Sequence, residues 1–194
     1  MRNFFYGWYF KCQSASQTLA LIPAVHQTGK KRTCSIQVVT DDGCLTANFP
    51  GTAFARKGGR IIIGENHFGQ DGVGLCVRTP ELRVEGALHF GALRPLKYDI
   101  MGPFALVPFM ECRHGVWSMR HEVSGRVEVN GKPFEFSKGL GYWEGDRGRS
   151  FPKEYAWTQC LFKGGSLMLS VADIPMAGMH FTGIIGIVLW KGKE

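Results

Sequence analysis

Short runs in which apolar and polar residues alternate, each broken by glycine, recur from one end of this chain to the other, and that pattern admits little except strands. The clearest run is at residues 123 to 136. There Val127 and Val129 alternate with Arg126 and Glu128, Asn130-Gly131 follows, and Phe134 and Phe136 alternate on the return. Asn-Gly supplies the two positive-φ positions of a tight hairpin turn, so the spacing predicts an antiparallel pair. Leu82 and Val84 against Arg83 and Glu85, then Leu88 and Phe90 after Gly86, predict a strand bent at the glycine. Two more hairpins are predicted around Asp41-Asp42-Gly43 and Lys57-Gly58-Gly59. Leu167, Leu169 and Val171 alternate with Met168, Ser170 and Ala172 as a half-buried strand, and Lys153 to Trp157 is expected to form a short helical turn.

The segment from Arg94 to Glu111 is different, because Pro95, Pro103 and Pro108 interrupt it while Met101, Phe104, Leu106, Phe109 and Met110 make it apolar. It reads as a crossing between two sheets or two halves of the fold. Many strands joined by glycine-rich turns, 26 glycines in 194 residues, imply an all-β antiparallel barrel or sandwich, and a barrel closes its own edges around a small apolar ligand. Ile184 to Trp190, followed by Lys191-Gly192-Lys193-Glu194, reads as a strand entering a hairpin with no return. It is either the end of a fragment or an unpaired edge.

Composition narrows the partners. The formal charge is +7, yet the basic residues are scattered apart from Lys30, Lys31 and Arg32 and the group Arg147, Arg149 and Lys153, so no phosphate-tracking stripe forms and a nucleic-acid partner is not expected. The N-terminal residues carry aromatics after Arg2 but no aliphatic signal core, and the longest late apolar run is far shorter than the ~20 residues of a membrane helix; a cytoplasmic protein without an integral membrane segment is expected. Six cysteines without a short-spaced pair read as reduced thiols. Glu111, Cys112, His114 and His121 have metal-ligand types, but their spacing fits no familiar site. Hydrogen-bonded strand histidines or a cavity mouth is the preferred reading, with His114 and His121 as reserve proton donors.

Two segments carry a family resemblance. Gly7-Trp8-Tyr9-Phe10-Lys11 resembles the opening strand of the tocopherol cyclase family. Tyr142, Glu144, Gly148, Phe151, Pro152, Trp157, Gln159 and Cys160 match, in order, that family's central signature. The resemblance spans most of the chain and implies a lipocalin-like fold related to the carotenoid hydratase and oxidative-survival proteins. Residues 1–194 would form one continuous unit divisible into halves 1–110 and 111–194, the first barrel-like half complete and the second incomplete. Asp146 and Arg147 stand where the plant enzymes carry asparagine and tryptophan, which would put an ion pair in place of a neutral, aromatic environment.

The family's reaction closes a chromanol ring by adding a phenolic oxygen across an alkene. It needs a proton donor, a dry pocket and aromatic faces for a developing cation, and neither metal nor nucleotide cofactor. The segment from Tyr142 to Gln159 offers Glu144 or Asp146 as the catalytic acid, if desolvation raises its pKa. Trp8, Trp143 and Trp157 would line the cation's path, Tyr142 or Gln159 would orient the phenol, and Arg147 and His114 would complete the ligand-binding set. Arg147 beside either carboxylate would lower its pKa and leave it ionised, with no proton to donate. A salt bridge clamping a strand crossover explains the same residues equally well. Two functions follow: a tocopherol cyclase-like intramolecular lyase or isomerase acting on a prenylated quinol or isoprenoid, or a noncatalytic carrier of a lipid or other hydrophobic small molecule, with Arg147 or Arg149 pairing an anionic head group. The oligomeric state is left open.

Overall fold

The computed structural model describes residues 3–107, 110–176 and 179–194; Arg2, Pro108 and Phe109 of the segments discussed above lie outside the described residues. The strands are β1 (Phe4–Gln13), β2 (Thr18–Thr28), β3 (Lys31–Thr40), β4 (Gly43–Pro50), β5 (Phe54–Lys57), β6 (Arg60–Ile63), β7 (Asn66–Gly69), β8 (Gly72–Arg78), β9 (Arg83–Phe90), β10 (Cys112–Val129), β11 (Lys132–Gly148), β12 (Tyr155–Phe162), β13 (Gly165–Met176) and β14 (Met179–Trp190). The helical elements described are two 3-10 turns, Gly51–Ala53 and Gly102–Leu106. The chain is therefore all-β and antiparallel, as its alternation requires.

An 11-stranded sheet runs in the order β4-β3-β2-β1-β11-β10-β9-β8-β7-β6-β5, and a 3-stranded sheet in the order β12-β13-β14. Every neighbouring pair in the large sheet is consecutive in sequence except β1 and β11. The sheet curls on itself: Phe10 of β1 meets Phe68 of β7 with ring centroids 5.6 Å apart, and Trp8 stacks on Phe54 of β5 at 6.2 Å. Among the described residues β4 and β5 share no ladder, so the curl is not hydrogen-bonded into a closed ring.

The concave interior of the large sheet is filled by its own side chains. Trp8, Phe10, Leu21, Ile36, Phe68, Val84, Val127, Phe134 and Trp143 form one buried cluster. Each such side chain contributes ~1.5–3 kcal/mol relative to exposure. A second cluster, with Met119, Tyr142, Leu161 and Met168 at its centre, lies on the opposite face, between the large sheet and the small one.

The predicted hairpin at 123–136 is the turn between β10 and β11, where Asn130 and Gly131 take φ of 48° and 85°. Gly86 bends β9 at φ 130°, where a Cβ would lie 2.3 Å from the Arg126 carbonyl oxygen. Three local expectations are corrected. Lys153 to Trp157 forms no helical turn but enters β12, because Tyr155 onward pairs with β13. In β13 the half-buried face is reversed: Met168 is buried and Leu169 is 37% exposed, since Ser170, Ala172 and Ile174 are the residues turned to the inter-sheet space. Arg94 to Val107 does not pass from one sheet to another: it joins β9 and β10, which are paired neighbours in the large sheet, and it runs past the small sheet on the way, with Phe104 stacked on Phe181 of β14 at 5.9 Å.

Candidate functional site

Between the convex face of the large sheet and the small sheet lies a partly open cavity of about 330 Å³. Its walls are apolar: Ile22, Met101, Phe104, Tyr155, Ile174 and Ile185 contribute, drawn from β2, the β9–β10 connection and the small sheet. The polar floor comes from two adjacent strands. β11 supplies Glu144 and Asp146, two residues apart and so on one face, and β10 supplies His114, the cross-strand partner of Asp146.

Glu144 is 4% exposed, and its Oε2 is the convergence point of the site. It accepts a hydrogen bond from the Tyr142 hydroxyl at 2.5 Å and one from the Trp157 indole N–H at 3.3 Å. The Nε2 of His114 stands 3.0 Å from the same oxygen, close enough for an ion pair but off the line of a straight N–H···O bond. The other ring nitrogen, Nδ1, is 2.9 Å from Asp146 Oδ1. Burial alone would drive His114 toward its neutral form, but hydrogen bonds and charge from Asp146 and Glu144 outweigh it, and its pKa is raised to about 10. One imidazolium therefore bridges the two acidic side chains at the edge of an apolar cavity.

The surrounding phenols and thiol stay protonated. Burial, then Glu144 and Cys12, push Tyr9 up to about 12. Burial and Glu144 hold Tyr142 far above its ordinary range, and burial with Asp146 does the same for the Cys112 thiol, whose Sγ is 3.6 Å from Asp146 Oδ1. Tyr9 lies edge-on to Trp157 at 5.2 Å, so two aromatic faces stand beside the carboxylate.

The structure brings Glu144, Asp146, His114 and Trp157 to the cavity, with Tyr142 behind Glu144. The others are placed differently. Trp143 projects from the opposite face of β11, stacked on Phe10 at 4.9 Å and Trp117 at 5.4 Å. Trp8 does border the cavity along β1, while its ring lies in the concave core, stacked on Tyr6 at 4.1 Å. Gln159 accepts a hydrogen bond from Lys11 Nζ at 3.1 Å outside the cavity. Arg147 is turned away from both carboxylates because it alternates with them along β11, so the ion pair expected of Asp146 is made instead with His114. His121 does not join Cys112 and His114. It is buried against Phe90, its Nδ1 3.0 Å from Ser118 Oγ, and burial lowers its pKa to about 4.

Sequence reasoning missed Tyr9, Met101 and Phe104 as wall residues. The signal for Tyr9 was its position in the Gly7–Lys11 motif, where it is the cross-strand partner of Glu144.

The fold and the site together define an all-β, lipocalin-like chain with an apolar cavity floored by a carboxylate–imidazolium–carboxylate bridge. Solved structures of this fold include CghA with Sch210972 (TM-score 0.66, 9% identity, 98% of this chain and 58% of that one covered) and kievitone hydratase from Nectria haematococca (TM-score 0.61, 9% identity, 100% of this chain and 62% of that one). The chain thus spans about three fifths of the length of these proteins, and at such identity the likeness is one of fold. No protein-family model matches the sequence, and no curated protein matches it. Among the described residues no helix is long and apolar enough to cross a membrane.

Proposed function

We propose that this chain binds a hydrophobic small molecule in the inter-sheet cavity and exchanges a proton with it through the Glu144–His114–Asp146 bridge. The observation that carries the reading is the convergence of Tyr142, Trp157 and His114 on one buried oxygen of Glu144 at the edge of an apolar space. Polar groups so costly to bury are held in place by one another, and they face a ligand-sized opening.

The finer reading is a tocopherol cyclase-like ring closure on a prenylated quinol or related isoprenoid. A proton adds to one alkene carbon, the phenolic oxygen bonds to the other, and the phenolic proton returns to the bridge, so substrate and product are isomers. The rings of Tyr9 and Trp157 suit a cation developing between these steps. One observation favours the alternative, a noncatalytic carrier: an imidazolium whose pKa is about 10 releases its proton reluctantly to an alkene.

Native mass spectrometry of the purified protein after exposure to a lipid extract tests binding. Retention of an isoprenoid or prenylated phenol is expected, and retention of no hydrophobic molecule overturns both readings. For catalysis, a Glu144→Gln, Asp146→Asn double variant that converts a cyclisable quinol as fast as the parent removes the bridge from the mechanism.

A further inference from the structure

The same two strands that build the polar floor carry a second set of groups on their other face. Arg113 and Arg147 are directly opposite one another across the β10–β11 ladder, and Tyr6 of β1 is the next residue in that row. Together with Trp117 and Gly145 they line a separate cavity of about 530 Å³, distinct in its polar lining from the apolar one. A third guanidinium, that of Arg56, lies 5.3 Å above the Tyr6 ring.

Like charges directly opposite on one sheet face repel, and a fold keeps such a pair at a cost unless something of opposite sign compensates it. Within the protein little does. Arg113 donates to the Ala105 carbonyl at 3.1 Å, and no ion pair of Arg113, Arg147 or Arg56 is found among the described residues. Asp99 is the carboxylate in the lining, and its Oδ1 accepts the Met101 N–H at 2.9 Å; Lys97 adds a further positive charge.

We propose that this second cavity is a binding site for an organic anion: a carboxylate or phosphate held between Arg113 and Arg147, attached to a planar body that lies against Trp117 and Tyr6. Guanidinium forks match both head groups with paired N–H···O bonds, and the ring faces add contact to the body. The two arginines line this cavity and not the apolar one, although His114, Met101 and Gly145 border both.

Thermal melting of the full chain at low salt, with added benzoate, phenyl phosphate, benzyl alcohol or inorganic phosphate, tests this. Benzoate or phenyl phosphate is expected to raise the melting temperature saturably, whichever is stronger identifying the head group, and benzyl alcohol to raise it less. An Arg113→Gln, Arg147→Gln variant is expected to melt no lower than the parent and to lose the response. An Arg83→Gln, Lys132→Gln variant, with the same loss of charge at the far end of the hairpin, keeps it. If the first variant does not fold, Arg147→Gln alone is read by tryptophan fluorescence, where benzoate affinity is expected to fall about tenfold, the loss of one charge-assisted contact. Equal protection by benzyl alcohol, or an unchanged response without the two arginines, overturns the proposal. Inorganic phosphate protecting as well as phenyl phosphate overturns the role of the planar body.

Discussion

His114 and Asp146 are cross-strand partners whose Nδ1 and Oδ1 atoms lie 2.9 Å apart at the floor of the apolar cavity. The bridge holds the His114 proton up to about pH 10 in the folded protein, whereas an unfolded histidine releases it near 6.5. Its stabilisation is therefore full below about pH 6.5 and is lost as pH rises through the folded value. Urea midpoints measured from pH 6 to 10.5 should fall more steeply for the parent than for His114→Gln. Parallel slopes would mean that the imidazole is neutral in the fold.

His121 has the opposite linkage. Buried and held neutral, with a pKa of about 4, it gains a proton on unfolding at any pH between that value and about 6.5, so it destabilises the fold as pH drops through this window. A His121→Gln variant is expected to lose about 1–3 kcal/mol at pH 7, where the bond to Ser118 is sacrificed, and to show a shallower acid limb. An acid limb identical to the parent's would contradict this.

Trp157→Phe keeps a ring beside Tyr9 while removing the N–H that reaches Glu144. A loss of about 1–2 kcal/mol is expected from chemical denaturation, as for one hydrogen bond to a charged acceptor. Ligand retention should weaken without being abolished; a variant as stable as the parent would show that the indole donor is not used.

Gly145 of β11 is flanked by Trp8 of β1 and Gly115 of β10. A Cβ there would lie 2.4 Å from the Gly7 carbonyl oxygen and 3.0 Å from the Trp117 ring. Gly145→Ala is expected to cost about 1–3 kcal/mol by forcing β1 away from β11, and to impair both cavities, which share this residue. Wild-type stability in urea would show that the strands have room.

Much of the fold was legible because hairpin chemistry is local: Asn130-Gly131, Asp42-Gly43 and Gly58-Gly59 stand at the turns where they were expected. The facing of the site was not. Phe134 and Phe136 point into the concave core, and continuing their alternation would send Tyr142 and Glu144 there too. The β10–β11 register shifts between Val123 and Gly125, Lys138 takes φ 59°, and beyond that point Trp143 occupies the core while Glu144 faces the small sheet. A one-residue shift exchanges the two faces of a strand, and nothing in the period announces it. The partner of Asp146 was equally hidden: Arg147 is adjacent in sequence, but His114 is adjacent in register. The inverted face of β13 has the same origin, since Leu169 and Met168 are both apolar and only the position of the neighbouring sheet decides between them.

The large sheet is two meanders, β1 to β4 and β5 to β11, stitched by the single pairing of β1 with β11, and Tyr9 opposite Glu144 is one of the stitches. Each meander can assemble from nearby residues, while the seam joins segments more than a hundred residues apart and must wait for the slower closure of that long loop. The wall of the apolar cavity is thus completed late in folding, and refolding chains should regain their strand signal in circular dichroism before they regain the capacity to hold a guest.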